Sequence, residues 1–297
     1  MCLTVSFIKS CWLTGPVEEP LIKLYLHQDR KCIDLKLEEY IVGTVAAEMP
    51  ASFDIEALKA QAVCARTYAL RKLVEGKEYP QGADLSDDIT SCQAYISPAE
   101  FQKLNPLYYK NLLNKIKEAC NKTRGLIMVY DGEPIDALYH STCGGQTESA
   151  SEAWGNEVPY LHSVKCPYCK DSKRYKTSGN ISLQDLRSFA GTNKRSIVLR
   201  VADRSPSGRV KRLEINDQPF SAEKFRQYFN LPSTWWQFEN NNEALLIQSR
   251  GYGHGIGLCQ YGANGMAKAG HNYRDILNKY YQDIDFCKME WKSDPNP

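Results

Sequence analysis

Apolar residues recur at Ile55, Leu58, Ala62, Ala65, Ala69 and Leu73, three or four positions apart. That spacing predicts one helix to about Glu75 with a single buried face. Ser52 to Asp54 supply its N-cap chemistry. Its many alanines let another helix, or an extended polymer, approach closely. A shorter helix over Leu37 to Ala47 must stop at Pro50, because proline drives the residue before it out of the helical region. Glu48 therefore falls at a helix end, after the uncharged run Ile41 to Ala47 and before Met49-Pro50. Apolar surroundings disfavour the charged form and raise a carboxyl pKa toward the range useful for proton donation. Glu48 is thus the candidate general acid. A helix-cap or surface ion-pair role is the structural alternative.

The remaining segments mix strands and helices without strict alternation. Strands are predicted over Leu21–Leu26 and Lys31–Leu35, with a hairpin joining Gly125–Tyr130 to Ile135–His140 around Asp131-Gly132-Glu133-Pro134. Further strands fall at Ser196–Ala202, Val210–Ile215 and Leu245–Gln248, and helices at Lys110–Lys122, Ser182–Ala190, Leu258–Lys268 and Tyr273–Tyr281. The expected fold class is α+β, with helices and short antiparallel strands around a substrate cleft. Residues 1–20 form an N-terminal segment poor in the basic residues of a signal or anchor. Residues 21–288 form the functional domain, as one body or two lobes, and 289–297 a disordered tail. The chain has 297 residues, 42% of them hydrophobic and 24% charged, as folded soluble proteins do. A formal net charge of +2 provides no field to recruit nucleic acid.

Three further segments carry chemistry. In His140-Ser141-Thr142-Cys143-Gly144-Gly145 a strand ends in hydroxyls and a double glycine, where backbone N–H groups become available to a ligand. In Gly251-Tyr252-Gly253-His254-Gly255-Ile256-Gly257 the glycines alternate. The spacing fits neither a phosphate loop nor a dinucleotide fingerprint. It predicts backbone passing close under a ligand, with His254 and Gln260 directed into it. Cys166-Pro167-Tyr168-Cys169 has the spacing of a zinc knuckle, a redox pair or a local disulfide. For a structural zinc, Cys143 is the natural third ligand; Cys259, His140 or His162 could be the fourth, and Cys259 is the expected one because thiolate suits structural zinc. The eleven cysteines are too many for an ordinary cytosolic enzyme and too odd a number for a closed disulfide set.

The segments AAEMPASFDIEALKAQAVCARTYAL, HSTCGGQTESASEAWG and GYGHGIGLCQYGANGMAKAG occur in this order. Together they resemble the stage II sporulation protein D family, also called the SpoIID/LytB domain, over about Leu21 to Phe286. The resemblance implies a peptidoglycan lytic transglycosylase, or a relative of the amidase enhancers, located in the cell envelope. It assigns Glu48 as the catalytic glutamate and places His140, Ser141, Gly144, Gly145, His254 and Gln260 in the cleft motifs. Gln61 and Arg66 match the helix behind the acid and join the substrate-binding set. The implied partners are peptidoglycan glycan strands, stripped of stem peptides by an amidase. The chemistry requires no cofactor. Some sporulation members hold zinc through His and Cys in the loop before Cys92-Gln93-Ala94-Tyr95; here that loop offers Ser86 and Ser91, so that site is expected to be absent. The alternatives are a non-catalytic glycan-binding enhancer of an amidase and a zinc-dependent hydrolase using His140 or His254.

Overall fold

The computed structural model describes residues 15–194, 196–240 and 244–292. The chain divides into two compact units. One comprises the described residues through Leu138 with 266–278 and 283 onward; the other comprises Tyr139–Gly265 and Lys279–Gln282.

The first unit begins with β1 (Leu21–Leu26) and β2 (Lys31–Lys36), paired antiparallel with Leu21 opposite Lys36. Arg30, with φ at 53°, closes the turn between them. α1 (Leu37–Glu48) follows directly, and its first turn carries Glu38 and Glu39 at the positive end of the helix dipole. Met49, ahead of Pro50, takes φ −127° and ψ 134° and ends the helix. α2 (Ile55–Glu75) is capped by Asp54, which accepts the Glu56 N–H at 2.9 Å, and ends at Gly76 in the left-handed conformation. From Ala60 to Leu70 every residue of α2 is buried, rather than one face alone. Four of these residues are alanines, Ala60, Ala62, Ala65 and Ala69, small enough for partners to close in from all sides, and Thr67 Oγ1 is satisfied within the helix by donating to the Val63 carbonyl at 2.7 Å.

β3 (Leu85–Ser86) adds to β1 in parallel, giving the order β2-β1-β3. α3 (Pro98–Leu104) opens on a Ser97/Glu100 capping box. α4 (Tyr109–Lys122) turns Leu113, Ile116, Ala119 and Cys120 inward. β4 (Leu126–Tyr130) and β5 (Glu133–Pro134) form a short hairpin. The expected second arm over 135–140 ends early.

In the second unit β6 (Tyr139–His140) is followed by α5 (Ala150–Trp154), β7 (Lys176–Ser182), α6 (Leu183–Ala190), β8 (Leu199–Arg204), β9 (Val210–Ile215) and β10 (Gln218–Ser221). Next come α7 (Ala222–Tyr228), β11 (Trp236–Asn240), β12 (Ala244–Arg250), β13 (Leu258–Cys259) and α8 (Gln260–Lys268), the chain crossing to the first unit at Met266. The sheets are β10-β9-β8, β11-β12-β7 and the pair β13-β6, whose strands run parallel with Cys259 opposite His140. Leu186, Leu213, Phe225, Trp236 and Leu245 are the fully buried centre of its larger core.

α9 (Tyr273–Tyr280) and β14 (Asp285–Lys288) complete the chain, β14 pairing with β4 in the order β14-β4-β5. The architecture is α+β. The tail expected from 289 is ordered at its start: Met289 is buried and donates its N–H to the Gly125 carbonyl, and Trp291 Nε1 donates to Glu38 Oε1 at 3.0 Å. The indole has a buried acceptor to satisfy, and this anchors the segment. Residues 1–14 and 293–297 lie outside the described residues. Among the described residues no helix is long and apolar enough to cross a membrane.

Candidate active site

Glu48 is the last residue of α1 and is half-buried. The carbonyl end of a helix offers a carboxylate no donor, so one must arrive from elsewhere in the fold. It comes from the extended segment 92–96, which crosses α1 at Gly43. A Cβ on Gly43 would lie 2.2 Å from the Tyr95 ring. The absence of a side chain there lets the Ile96 N–H donate to the Gly43 carbonyl and the Tyr95 ring stack on Tyr40 at 5.9 Å between centroids. Gln93 Nε2 donates to Tyr40 Oη at 3.1 Å and to the Ala65 carbonyl at 3.3 Å. Held in this way, the segment delivers the Ala94 N–H to Glu48 Oε1 at 2.8 Å. Sequence reasoning missed Ala94; its one trace is Gly43, in the uncharged stretch Ile41 to Ala47 of the helix.

Gln61 and Arg66, expected to bind substrate, are both fully buried in α2. Arg66 forms a bidentate pair with Glu38, Nε to Oε1 at 2.9 Å and Nη2 to Oε2 at 2.7 Å, and also donates to the Leu126 carbonyl. Burial pushes the Glu38 pKa up, but the Arg66 charge and hydrogen bonds, with donors from Trp291 and Gly125, outweigh it and hold the carboxyl below its ordinary value. The expectation for Arg66 is therefore corrected: its guanidinium is committed to an internal ion pair that ties α1 to α2. Gln61 presents no surface to a ligand.

The second unit brings His140 and His254 together, their ring centroids 5.6 Å apart. His140 is buried on β6 and its Nδ1 donates to the Ile256 carbonyl at 3.0 Å. Exposed His254 accepts the Ile256 N–H at Nδ1, at 3.1 Å, which leaves Nε2 to donate to the Tyr139 carbonyl at 3.0 Å. This bonding pattern assigns His254 the neutral tautomer protonated at Nε2. The two imidazoles thus grip a single peptide residue. Burial lowers the His140 pKa well below its ordinary value, and the electrostatic influence of nearby His254 and Arg209 lowers it further against the Ile256 bond. With Nδ1 donating, His140 Nε2 is buried with no hydrogen-bond partner among the described residues.

Several glycines of this region lie close against protein atoms. Thr142 and Tyr252 exchange backbone hydrogen bonds of 3.1 and 2.7 Å. A Cβ on Gly253 would lie 3.0 Å from His140 Cβ, and one on Gly255 would lie 2.5 Å from the Arg209 guanidinium, at φ values of 104° and 86°. Gly144 is buried with the same close approach to Arg250, whereas Gly145 and Ser141 are half-buried. Gln260 is buried at the start of α8 and is not directed into open space. Arg209, unforeseen from sequence, donates to the Gln146 and Cys143 carbonyls at 3.0 and 2.8 Å. It shares the Ser207 hydroxyl with buried Glu148.

The thiols of Cys143, Cys166, Cys169 and Cys259 converge within the same unit. The fourth member is Cys259; neither His140 nor His162 joins the group.

Residues 26–130 match the family described as stage II sporulation protein, SpoIID. The chain is 37% identical over 273 residues to stage II sporulation protein D of Bacillus subtilis (strain 168), covering 91% of this chain and 79% of that relative. The chain belongs to the stage II sporulation protein D family. It is also 34% identical over 279 residues to stage II sporulation protein D of Bacillus amyloliquefaciens, covering 93% of this chain and 80% of that relative. To the amidase enhancer of Bacillus subtilis (strain 168) it is 28% identical over 295 residues, 80% of this chain but 39% of that relative. The SpoIID match contains Glu48, Gly43 and Ala94, the residues that build the carboxyl site.

Proposed function

We propose that this SpoIID-family chain is a peptidoglycan lytic transglycosylase of the cell envelope. It cleaves the MurNAc–GlcNAc bond of glycan strands free of stem peptides, during sporulation or division. The observation that carries this reading is a half-buried carboxyl group at a helix end, oriented by a backbone amide from a separately anchored segment.

Protonated Glu48 donates its proton to the glycosidic oxygen as the bond from the MurNAc anomeric carbon breaks. The C6 hydroxyl of the same sugar attacks that carbon, and the Glu48 carboxylate takes the hydroxyl proton. The products are a 1,6-anhydro-MurNAc end and a free GlcNAc hydroxyl, with Glu48 protonated again. An intramolecular nucleophile removes the need for a second enzyme carboxylate and gains from proximity. The chemistry needs no cofactor. Ser141, Gly145 and His254, which retain exposed surface, are the members of the expected binding set able to meet a glycan.

Stem-peptide removal makes an amidase the functional partner, and the similarity to a protein named amidase enhancer supports that link. The same similarity favours a second reading, a glycan-binding enhancer without activity of its own. Incubation with amidase-treated glycan strands separates the two. The first reading predicts 1,6-anhydro-MurNAc ends from wild type and a loss of about a hundredfold or more in Glu48→Gln. Equal strand binding by both proteins with no such product from either would establish the second.

A further inference from the structure

We propose that Cys143, Cys166, Cys169 and Cys259 hold a single structural Zn²⁺ as a closed tetrathiolate site. This stands independently of the transglycosylase reading.

Three separate chain segments supply the sulfurs, and all four lie within 4.8 Å of one another. A tetrahedral ion with Zn–S bonds of about 2.3 Å sets sulfur–sulfur separations of roughly 3.8 Å. The Cys143 and Cys169 sulfurs are 3.5 Å apart. A disulfide would bring a pair to about 2.05 Å and leave the pairs independent. None of the four is bonded to another, and they form one cluster. All four residues are at most 1% exposed.

The surroundings are built for thiolate sulfur. The N–H groups of Cys143 and Gly262 both point at Cys259 Sγ, each at 3.3 Å, and the Tyr280 hydroxyl lies 3.1 Å from Cys166 Sγ. Donors of this kind orient metal ligands from outside the coordination sphere. Arg209 is anchored to the Cys143 carbonyl and brings a buried cation beside the cluster. Binding follows Zn²⁺ + 4 RSH → [Zn(SR)4]²⁻ + 4 H⁺, and the guanidinium offsets part of the resulting charge.

The site has no opening for an exchangeable ligand. A Cβ on Gly262 would lie 2.1 Å from Tyr280 Oη and 2.6 Å from Cys166 Sγ. Closed four-ligand sites are structural, whereas catalytic zinc keeps a position for water or substrate. The ion's role follows from where its ligands stand. Cys259 is paired with His140 across β13 and β6, and Cys143 follows His140 by three residues. The metal would therefore pin the histidine-bearing strand pair to the turn Pro167–Cys169.

The test is elemental analysis of the full chain purified under reducing conditions, followed by anaerobic replacement of the metal with Co²⁺. The proposal predicts a single zinc per chain and the strong visible absorption of tetrahedral cobalt with thiolate-to-metal charge transfer. Cys166→Ser and Cys259→Ser lose the metal, and Cys32→Ser, at a half-buried thiol outside the cluster, retains it. Should the serine variants fail to fold, the wild-type cobalt spectrum decides alone. A reduced wild type that takes up neither ion overturns the proposal. So does a native chain whose four cysteines are joined as two disulfides by mass spectrometry, or a Cys32→Ser protein that loses as much metal as Cys166→Ser.

Discussion

Glu48 depends on a hydrogen-bond donor that its own helix cannot provide. The Ala94 amide reaches it because residue 43 has no side chain. Gly43→Ala should therefore move Tyr95 and Ala94 and lower the rate of glycan cleavage by about a hundredfold, since misplacement by an ångström costs that much. The fold should persist by circular dichroism, separating misplacement from unfolding. Arg66 and Glu38 behave differently, because both are buried. Arg66→Met leaves an unpaired buried carboxylate and should destabilise the protein by about 3–5 kcal/mol in chemical denaturation. The double replacement Glu38→Leu/Arg66→Met should recover much of that loss.

His140 makes a pH prediction whose sign is fixed by its lowered pKa. An unfolded imidazole takes up its proton near pH 6.5, while the folded one resists until the pH is well lower. Below about pH 6.5 the unfolded state therefore binds more protons, and stability falls as the pH falls toward the folded value. His140→Asn keeps a donor for the Ile256 carbonyl and has nothing to titrate. Its denaturation midpoint should vary less than that of wild type between about pH 7 and about pH 5.

At the scale of elements, α2 is enclosed by neighbours that alanine lets come close. Ala62→Leu should overpack it and cost about 1–3 kcal/mol, read by thermal or denaturant unfolding. That helix and α1 were legible in the sequence, because periodicity, an Asp54 cap and Pro50 all mark the same boundaries. β7 was not. Its sequence Lys176–Ser182 carries one apolar residue, Ile181, and it exists by pairing with β12. The hairpin arm expected through His140 failed for a related reason. β6 pairs with β13, more than a hundred residues away, and no local pattern announces so distant a partner. The alternating glycines were visible, but their cause was not: they accommodate His140 and Arg209. Glu48 was legible as a helix-end acid, while its donor was not, because a backbone amide carries no side-chain signal and only Gly43, across the helix, hints at the crossing segment. The cysteines were legible as a group, Cys259 included because thiolate suits structural zinc, and the fold brings the four sulfurs together.

At the scale of the whole molecule, Glu48 belongs to one compact unit and the histidine and cysteine clusters to the other. The carboxyl site and its supports fall inside the SpoIID-matched residues 26–130. The first unit is closed by residues far beyond them, through β14 against β4 and Trp291 on Glu38. Trp291→Ala should therefore weaken that unit, by about 1–3 kcal/mol for the lost bond to a buried charged group, even though it lies outside the match.

The central claim is that the sugar's own hydroxyl, not water, completes bond cleavage with Glu48 as the acid and base. The most direct measurement is mass spectrometry of products from amidase-treated glycan strands digested in ¹⁸O-labelled water. The account predicts anhydro ends carrying no solvent oxygen, and their loss in Glu48→Gln. Reducing ends that have gained the label, or undiminished anhydro product from the variant, would contradict it.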